Sequence, residues 1–278
     1  MPSSATHKPG KPVREIPFWL LAIGLIGVMI LWGISADYNY ATIFKALSSG
    51  VLTTVWVTLI AFVLASALGL VLALMRQSRS RILREIATFY IEIVRGIPIL
   101  VLLFYIAFVG TPWFVSAYND TLFALGLADT LPALSVRQLD FTWRAIIALM
   151  LAYAAFLAEI FRAGLEAVDR GQIEAAQALG LKRFAIFRLI SGPQAFRIIL
   201  PPYGNDFVSM IKDSALVSAL GVQDITQLGK VFSASTFKFF ETYNIVAFLY
   251  LAMTISLSLL IRMVEKRIKR TDIERTNR

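Results

Sequence analysis

Very few side chains in this 278-residue chain could carry covalent chemistry. It has no cysteine, which removes thiolate nucleophiles, disulfides and sulfur-ligated metals. The single histidine is His7, in a polar N-terminal stretch. Neither a serine–histidine triad nor a histidine zinc centre can then be assembled. An enzyme would need a Ser–Lys or a paired-Asp site, and Lys212 with Ser214 are the only candidates. The residue types thus supply no catalytic set and no metal set, which points away from an enzyme.

The other candidates are charges standing in apolar runs, where an ionisable group is costly and marks function. Glu159 and Arg162 are three apart, on one helical face. They fit a structural ion pair, with Arg162 reaching toward a membrane interface. Asn205, Asp206, Ser209, Lys212, Asp213 and Ser214 gather polar groups shortly after Pro201, Pro202 and Gly204. Those three residues are expected to interrupt the helix, and broken helices at depth commonly line a pathway. Two readings stay open for the cluster: a route for a solute's charged ends, or bonds that hold the broken helix together. Lys212 and Asp213 are adjacent, so each needs its own partner.

Composition says where these residues sit. The chain is 58% hydrophobic and 16% charged, with a mean hydropathy of +0.70. No soluble core of this size hides that much apolar side chain, so an all-α integral membrane protein is expected. Six spans are read, at Pro17–Ile34, Gly50–Met75, Ile97–Val109, Arg144–Phe161, Phe196–Leu220 and Ile245–Ile261. Residues 1–16 read as a disordered tail, and 17–49 as an extra first helix with a short outer connection. The main domain covers 50–262, and 263–278 reads as a basic tail. The first apolar stretch is longer than a signal-peptide core and lacks a good cleavage site, so it is read as an uncleaved helix. Gly110, Pro112 and nearby aromatic residues are expected to close the third span, and 221–244 reads as a loop. Of the 27 Lys and Arg residues, 21 fall in the two tails and after the second and fourth spans. By the positive-inside rule both termini and the 169–193 loop are cytoplasmic. The same distribution accounts for the +9 net charge without nucleic acid.

The 169–193 loop has a definite shape. Asp169 and Gln172 have the spacing of an N-cap with a reciprocal partner. Ala175, Ala176 and Ala178 favour a short helix, and Gly180 stands where a left-handed residue would end it. A second short helix is expected over 182–190, broken by Gly192-Pro193. This makes a two-helix elbow with Glu174 as its exposed charge. The residues alone leave open whether it docks a partner or is simply a capped loop.

The words around the elbow decide between those readings. Glu174-Ala175-Ala176, then Gly180 and a later proline, resemble the EAA loop of type I ABC importer permeases. Arg95-Gly96-Ile97-Pro98, Glu159-Ile160-Phe161-Arg162-Ala163-Gly164, Gly171-Gln172, Pro201-Pro202-Tyr203-Gly204-Asn205 and Lys212-Asp213-Ser214-Ala215-Leu216 resemble the branch that imports polar amino acids. The likeness covers about Gly50 to Ile261. It departs at Ser191-Gly192-Pro193, where the family usually has an apolar residue before proline. The resemblance implies the type I permease fold and an elbow seated in a cytosolic ATPase dimer through Glu174, Ala175, Ala176, Gly180 and Leu181. It also implies a second permease chain, identical or sister, and an extracytoplasmic binding protein that delivers an amino acid. The chain has no G-x-x-x-x-G-K-[ST] motif, so no cofactor is expected on it and ATP belongs to the partner. A secondary amino-acid transporter is the alternative, but it has no use for such an elbow.

Overall fold

The structure, a computed structural model, describes residues 18–127 and 130–276; the tail expected over 1–16 lies outside them. Eleven α-helices are found among the described residues, with no strand. They are α1 Phe18–Ala36, α2 Tyr38–Arg76, α3 Arg81–Gly96, α4 Ile99–Tyr105, α5 Thr111–Ala124, α6 Phe141–Glu166, α7 Arg170–Ala178, α8 Arg183–Ile186, α9 Gly192–Asp213, α10 Ile225–Thr236 and α11 Phe239–Thr276. Four stretches are long and apolar enough to cross a membrane: Tyr38–Arg76, Ile99–Ala124, Phe141–Glu166 and Phe239–Ile268. Two of the six expected spans, at α1 and α9, are helical but fall outside that set.

The axis of the bundle is α2, which packs against α1, α3, α6, α9, α10 and α11. Its 39 residues span about 58 Å at helical rise, nearly twice a bilayer's hydrocarbon thickness. Residues 38–49 are therefore not the expected connection. Asp37 caps the helix by accepting from the Asn39 N–H at 2.7 Å, and Ile43, Leu47 and Gly50 continue the buried face at helical spacing. Small residues let α2 approach α6. A methyl on Gly69 would stand 3.0 Å from the Ala154 carbonyl oxygen and 3.1 Å from the Ala158 nitrogen. This small-residue contact is how helices associate where no water drives them together. The main core forms around it, from Val57, Ala61 and Ala65 of α2 to Ile146, Leu149 and Leu157 of α6.

Four further expectations are corrected. The third span does not close at Gly110 and Pro112. It passes through a π-helical turn, Ile106–Gly110, into α5, with Pro112 in the first turn, where its missing N–H does no harm. Pro201 and Pro202 lie inside α9 without breaking it; the change comes later, when the chain tightens into a 3₁₀ segment at Ser214–Leu220. The 221–244 connection contains α10, capped by Asp224, whose carboxylate accepts from the Gln227 N–H at 2.8 Å. The sixth span, read as Ile245–Ile261, is the middle of α11, which runs on through residues first read as tail.

Candidate functional site

The elbow is built from both ends inward. Asp169 accepts from the Gly171 N–H at 2.6 Å and starts α7. Gln172 does not complete the expected reciprocal cap. Its carbonyl accepts from the Gln194 amide at 2.6 Å, which ties α7 to the first turn of α9. At the other end Gly180 adopts φ +77°, its N–H bonds the Gln177 carbonyl and the Leu181 N–H bonds the Ala176 carbonyl. That is the glycine-ended Schellman stop. Glu174, Ala175, Gly180 and Leu181 are exposed, and Glu174 has no ion-pair partner among the described residues. Ala176 differs: it is 3% exposed and lies in a small hollow with Leu181 and Ile190. It shapes the elbow from below.

The expected second helix and its break at Gly192-Pro193 are replaced by a single rod. α8 passes through a π-helical turn, Phe187–Ser191, directly into α9. The Gly192 N–H reaches back five residues to the Phe187 carbonyl. A methyl on Gly192 would stand 2.7 Å from that oxygen. At this particular turn a side chain at 192 would meet the Phe187 oxygen, so glycine suits the position where the chain departs from the family pattern. Residues 183–213 form one continuous lever from the elbow into the bundle.

At the elbow's root, Glu159 accepts from Arg76 at 2.7 Å and from Arg162 at 3.0 Å. Arg162 also bonds Glu166. The pair read from sequence is real, and Arg76 extends it from α6 to the end of α2. Arg95 of α3 sits over the Phe156 ring, 5.7 Å from its centroid.

The six polar residues of the fifth helix separate into three groups. Asp206 and Asp213 are both half-buried, and Asp213 accepts from the Tyr153 hydroxyl at 2.7 Å. Ser214 is fully buried and bonds the Ile211 carbonyl of its own helix at 2.7 Å. That use is local and takes it away from any Ser–Lys chemistry with Lys212. Asn205 and Lys212 are exposed, Ser209 is half-buried, and Lys212 has no ion-pair partner among the described residues. Their spacing of four, then three, draws a polar stripe along one face of α9.

Sequence reasoning missed three residues. Tyr153 holds Asp213 from α6; its one signal is a lone polar aromatic among alanines. Arg144, read only as the start of the fourth span, is 8% exposed. It donates to the carbonyls of Leu139 at 2.7 Å, Ala107 at 3.0 Å and Val136 at 2.6 Å. The Ala107 carbonyl needs this donor, because the π-turn sends the Thr111 N–H to Ile106 and Pro112 has no N–H. Asp224, 0% exposed, accepts from the Tyr250 hydroxyl at 3.0 Å, beside a close approach of α2 at Gly50. Burial pushes its carboxyl above the ordinary carboxylate range, against the hydrogen bonds from Gln227, Tyr250 and Thr226.

The chain is similar to known proteins. Residues 65–270 match the family model described as "Binding-protein-dependent transport system inner membrane component". A probable amino-acid permease protein, YxeN of Bacillus subtilis, is 35% identical over 80% of this chain and 91% of that protein. The glutamine transport system permease protein GlnP of Escherichia coli is 30% identical over 84% and 99%. A solved amino acid ABC transporter with histidines is 34% identical with a TM-score of 0.65, covering 82% of this chain and 95% of that one. The inward-facing MetNI methionine ABC transporter, 19% identical with a TM-score of 0.61 over 81% and 96%, shares the fold.

Proposed function

The chain belongs to the family of inner membrane components of binding-protein-dependent transport systems, and we propose that its cargo is a polar L-amino acid. It is the non-catalytic permease subunit of an ATP-driven ABC importer with the type I permease fold, and it works with an ATPase and a substrate-binding protein. In our reading ATP is bound by the cytosolic ATPase dimer and the permease carries no cofactor. A second permease chain, identical or sister, faces the Asn205–Ser209–Lys212 stripe. α1 and α9 with the 3₁₀ segment complete six crossings.

The observation that supports this most is the lever. The exposed α7 is fixed to the first turn of α9 by Gln172–Gln194, and α9 carries the half-buried Asp206 and Asp213 and the exposed Lys212. A push on Glu174, Ala175, Gly180 and Leu181 therefore arrives at the polar stripe. Ala176 contributes by holding the elbow's shape. Alternating access follows when paired elbows are driven together.

The test is reconstitution with the ATPase and binding protein in proteoliposomes. Amino-acid-loaded binding protein is expected to stimulate ATP hydrolysis and accumulate the amino acid inside. Uptake that persists without the ATPase would overturn the reading in favour of a secondary transporter. A cysteine at exposed Ala175 is expected to crosslink to the ATPase, with no native cysteine to interfere.

A further inference from the structure

An apolar groove of about 490 Å³ lies between α2, α6 and the root of α9. Leu70 and Leu74 of α2, Phe161 and Leu165 of α6, and Phe196 and Ile199 of α9 form its walls. It follows α9 from Gly192 to Tyr203, about 17 Å at helical rise. Leu70, Leu74 and Phe196 remain exposed, so the groove opens sideways. Helical spacing puts Phe196, Ile199 and Tyr203 on one face of α9 and Asn205 and Lys212 on the other. An unpaired lysine facing hydrocarbon is costly. The polar face is better turned to protein or water, which leaves the opposite, groove face for lipid.

One end of the groove is basic. The Phe187 N–H bonds the Arg183 carbonyl, which places Arg183 one turn beyond Phe187 on the groove's face. Arg183 is exposed and has no ion-pair partner among the described residues. The acids of α6 and α7 at this end are engaged: Glu159 and Glu166 hold Arg76 and Arg162, and Asp169 caps α7. An apolar slot open to lipid, ending at an uncompensated cation, has the complementarity of an anionic lipid.

We propose that this groove holds one acyl chain of an anionic phospholipid, with its phosphate bound by Arg183. The chain lies against Phe187 and Gly192, at the π-turn that joins elbow to lever, so the lipid occupies the joint of the moving part.

Tryptophan quenching by lipids brominated in their acyl chains tests this. The full chain carrying Leu74→Trp is reconstituted in vesicles containing brominated phosphatidylglycerol or brominated phosphatidylcholine, and the signal of the chain without that substitution is subtracted. Phosphatidylglycerol is expected to quench at about fivefold lower mole fraction, from the attraction of one interfacial cation. Adding Arg183→Gln should remove most of that preference. Leu70→Trp, deeper in the groove, serves as a second reporter should Leu74→Trp fail to fold. Equal quenching by both lipids, an unchanged preference in Arg183→Gln, or no quenching by either lipid at both reporters would overturn the proposal. The last result would show that a protein surface fills the groove.

Discussion

Arg144 is a buried cation without a carboxylate beside it, held by three backbone carbonyls. Two of them, Val136 and Leu139, belong to the segment before α6, and Ala107 lies in the π-turn of a neighbouring helix. Removing the guanidinium leaves the buried Ala107 carbonyl unmet, at about 1–3 kcal/mol, and frees the part-buried Leu139 and Val136 carbonyls. Arg144→Met should therefore lower the thermal unfolding midpoint of the detergent-solubilised protein markedly. Arg144→Lys should recover only part of it, because an ammonium cannot span three acceptors with a planar fork. A midpoint unchanged in Arg144→Met would show that water replaces the side chain. Asp224 makes a different prediction, in pH. Its carboxyl ordinarily titrates near 3.8 and is raised by burial. The fold then favours the protonated form, so its contribution to stability is fullest below the ordinary value. That contribution falls as pH rises through the higher folded value. Unfolding midpoints measured across the acid range should show this decline in the native chain and a flatter profile in Asp224→Asn.

Elements show where the sequence was legible and where it was not. α6 was close to its read bounds, because a long apolar run with buried alanines leaves little choice. The elbow's cap and glycine stop were legible too: Asp169 and Gly180 act through local backbone geometry that neighbours do not override. The start of α2 was misread because hydropathy dips at Asn39, Lys45 and Ser48 while the period of Ile43, Leu47 and Gly50 continues. The prolines misled in the opposite sense. Pro201 and Pro202 remove donors but leave α9 intact, and the turns that matter are π-turns, which depend on a carbonyl five residues back and have no simple spacing rule. Gly192 carries the sharpest consequence. Gly192→Ala puts a methyl 2.7 Å from the Phe187 oxygen, so the π-turn must shift and the elbow must re-aim. Amino-acid-stimulated ATP hydrolysis should fall severalfold while basal hydrolysis by the ATPase stays. Gly180→Val strains a left-handed position, at about 1–2 kcal/mol, and should reduce crosslinking from Ala175→Cys. Stimulation unchanged in Gly192→Ala would mean that the lever tolerates re-aiming and is not the transmitting element.

At the scale of the whole molecule, the chain presents two opposed faces on α9 that cannot share one environment. The groove face is apolar and continuous with the exposed leucines of α2. The Asn205–Ser209–Lys212 face is polar, and Lys212 has no ion-pair partner among the described residues. Asp213, held by Tyr153, sits between the two faces, so Lys212 is left on the polar stripe. A lone permease chain in a bilayer would expose that stripe to lipid, at a cost of about 2.5 kcal/mol or more for lysine at mid-depth. This cost disappears if the stripe lines water between two chains, where a zwitterionic solute can meet it. A cysteine at Lys212 should then react with a water-soluble maleimide in the assembled transporter, and ATP with loaded binding protein should change the rate. Asn205→Cys, two turns away on the same stripe, should follow the same pattern. Labelling only by lipid-soluble reagents would place the stripe in hydrocarbon and remove the pathway role from Asn205, Ser209 and Lys212, while leaving Asp213 to its bond with Tyr153.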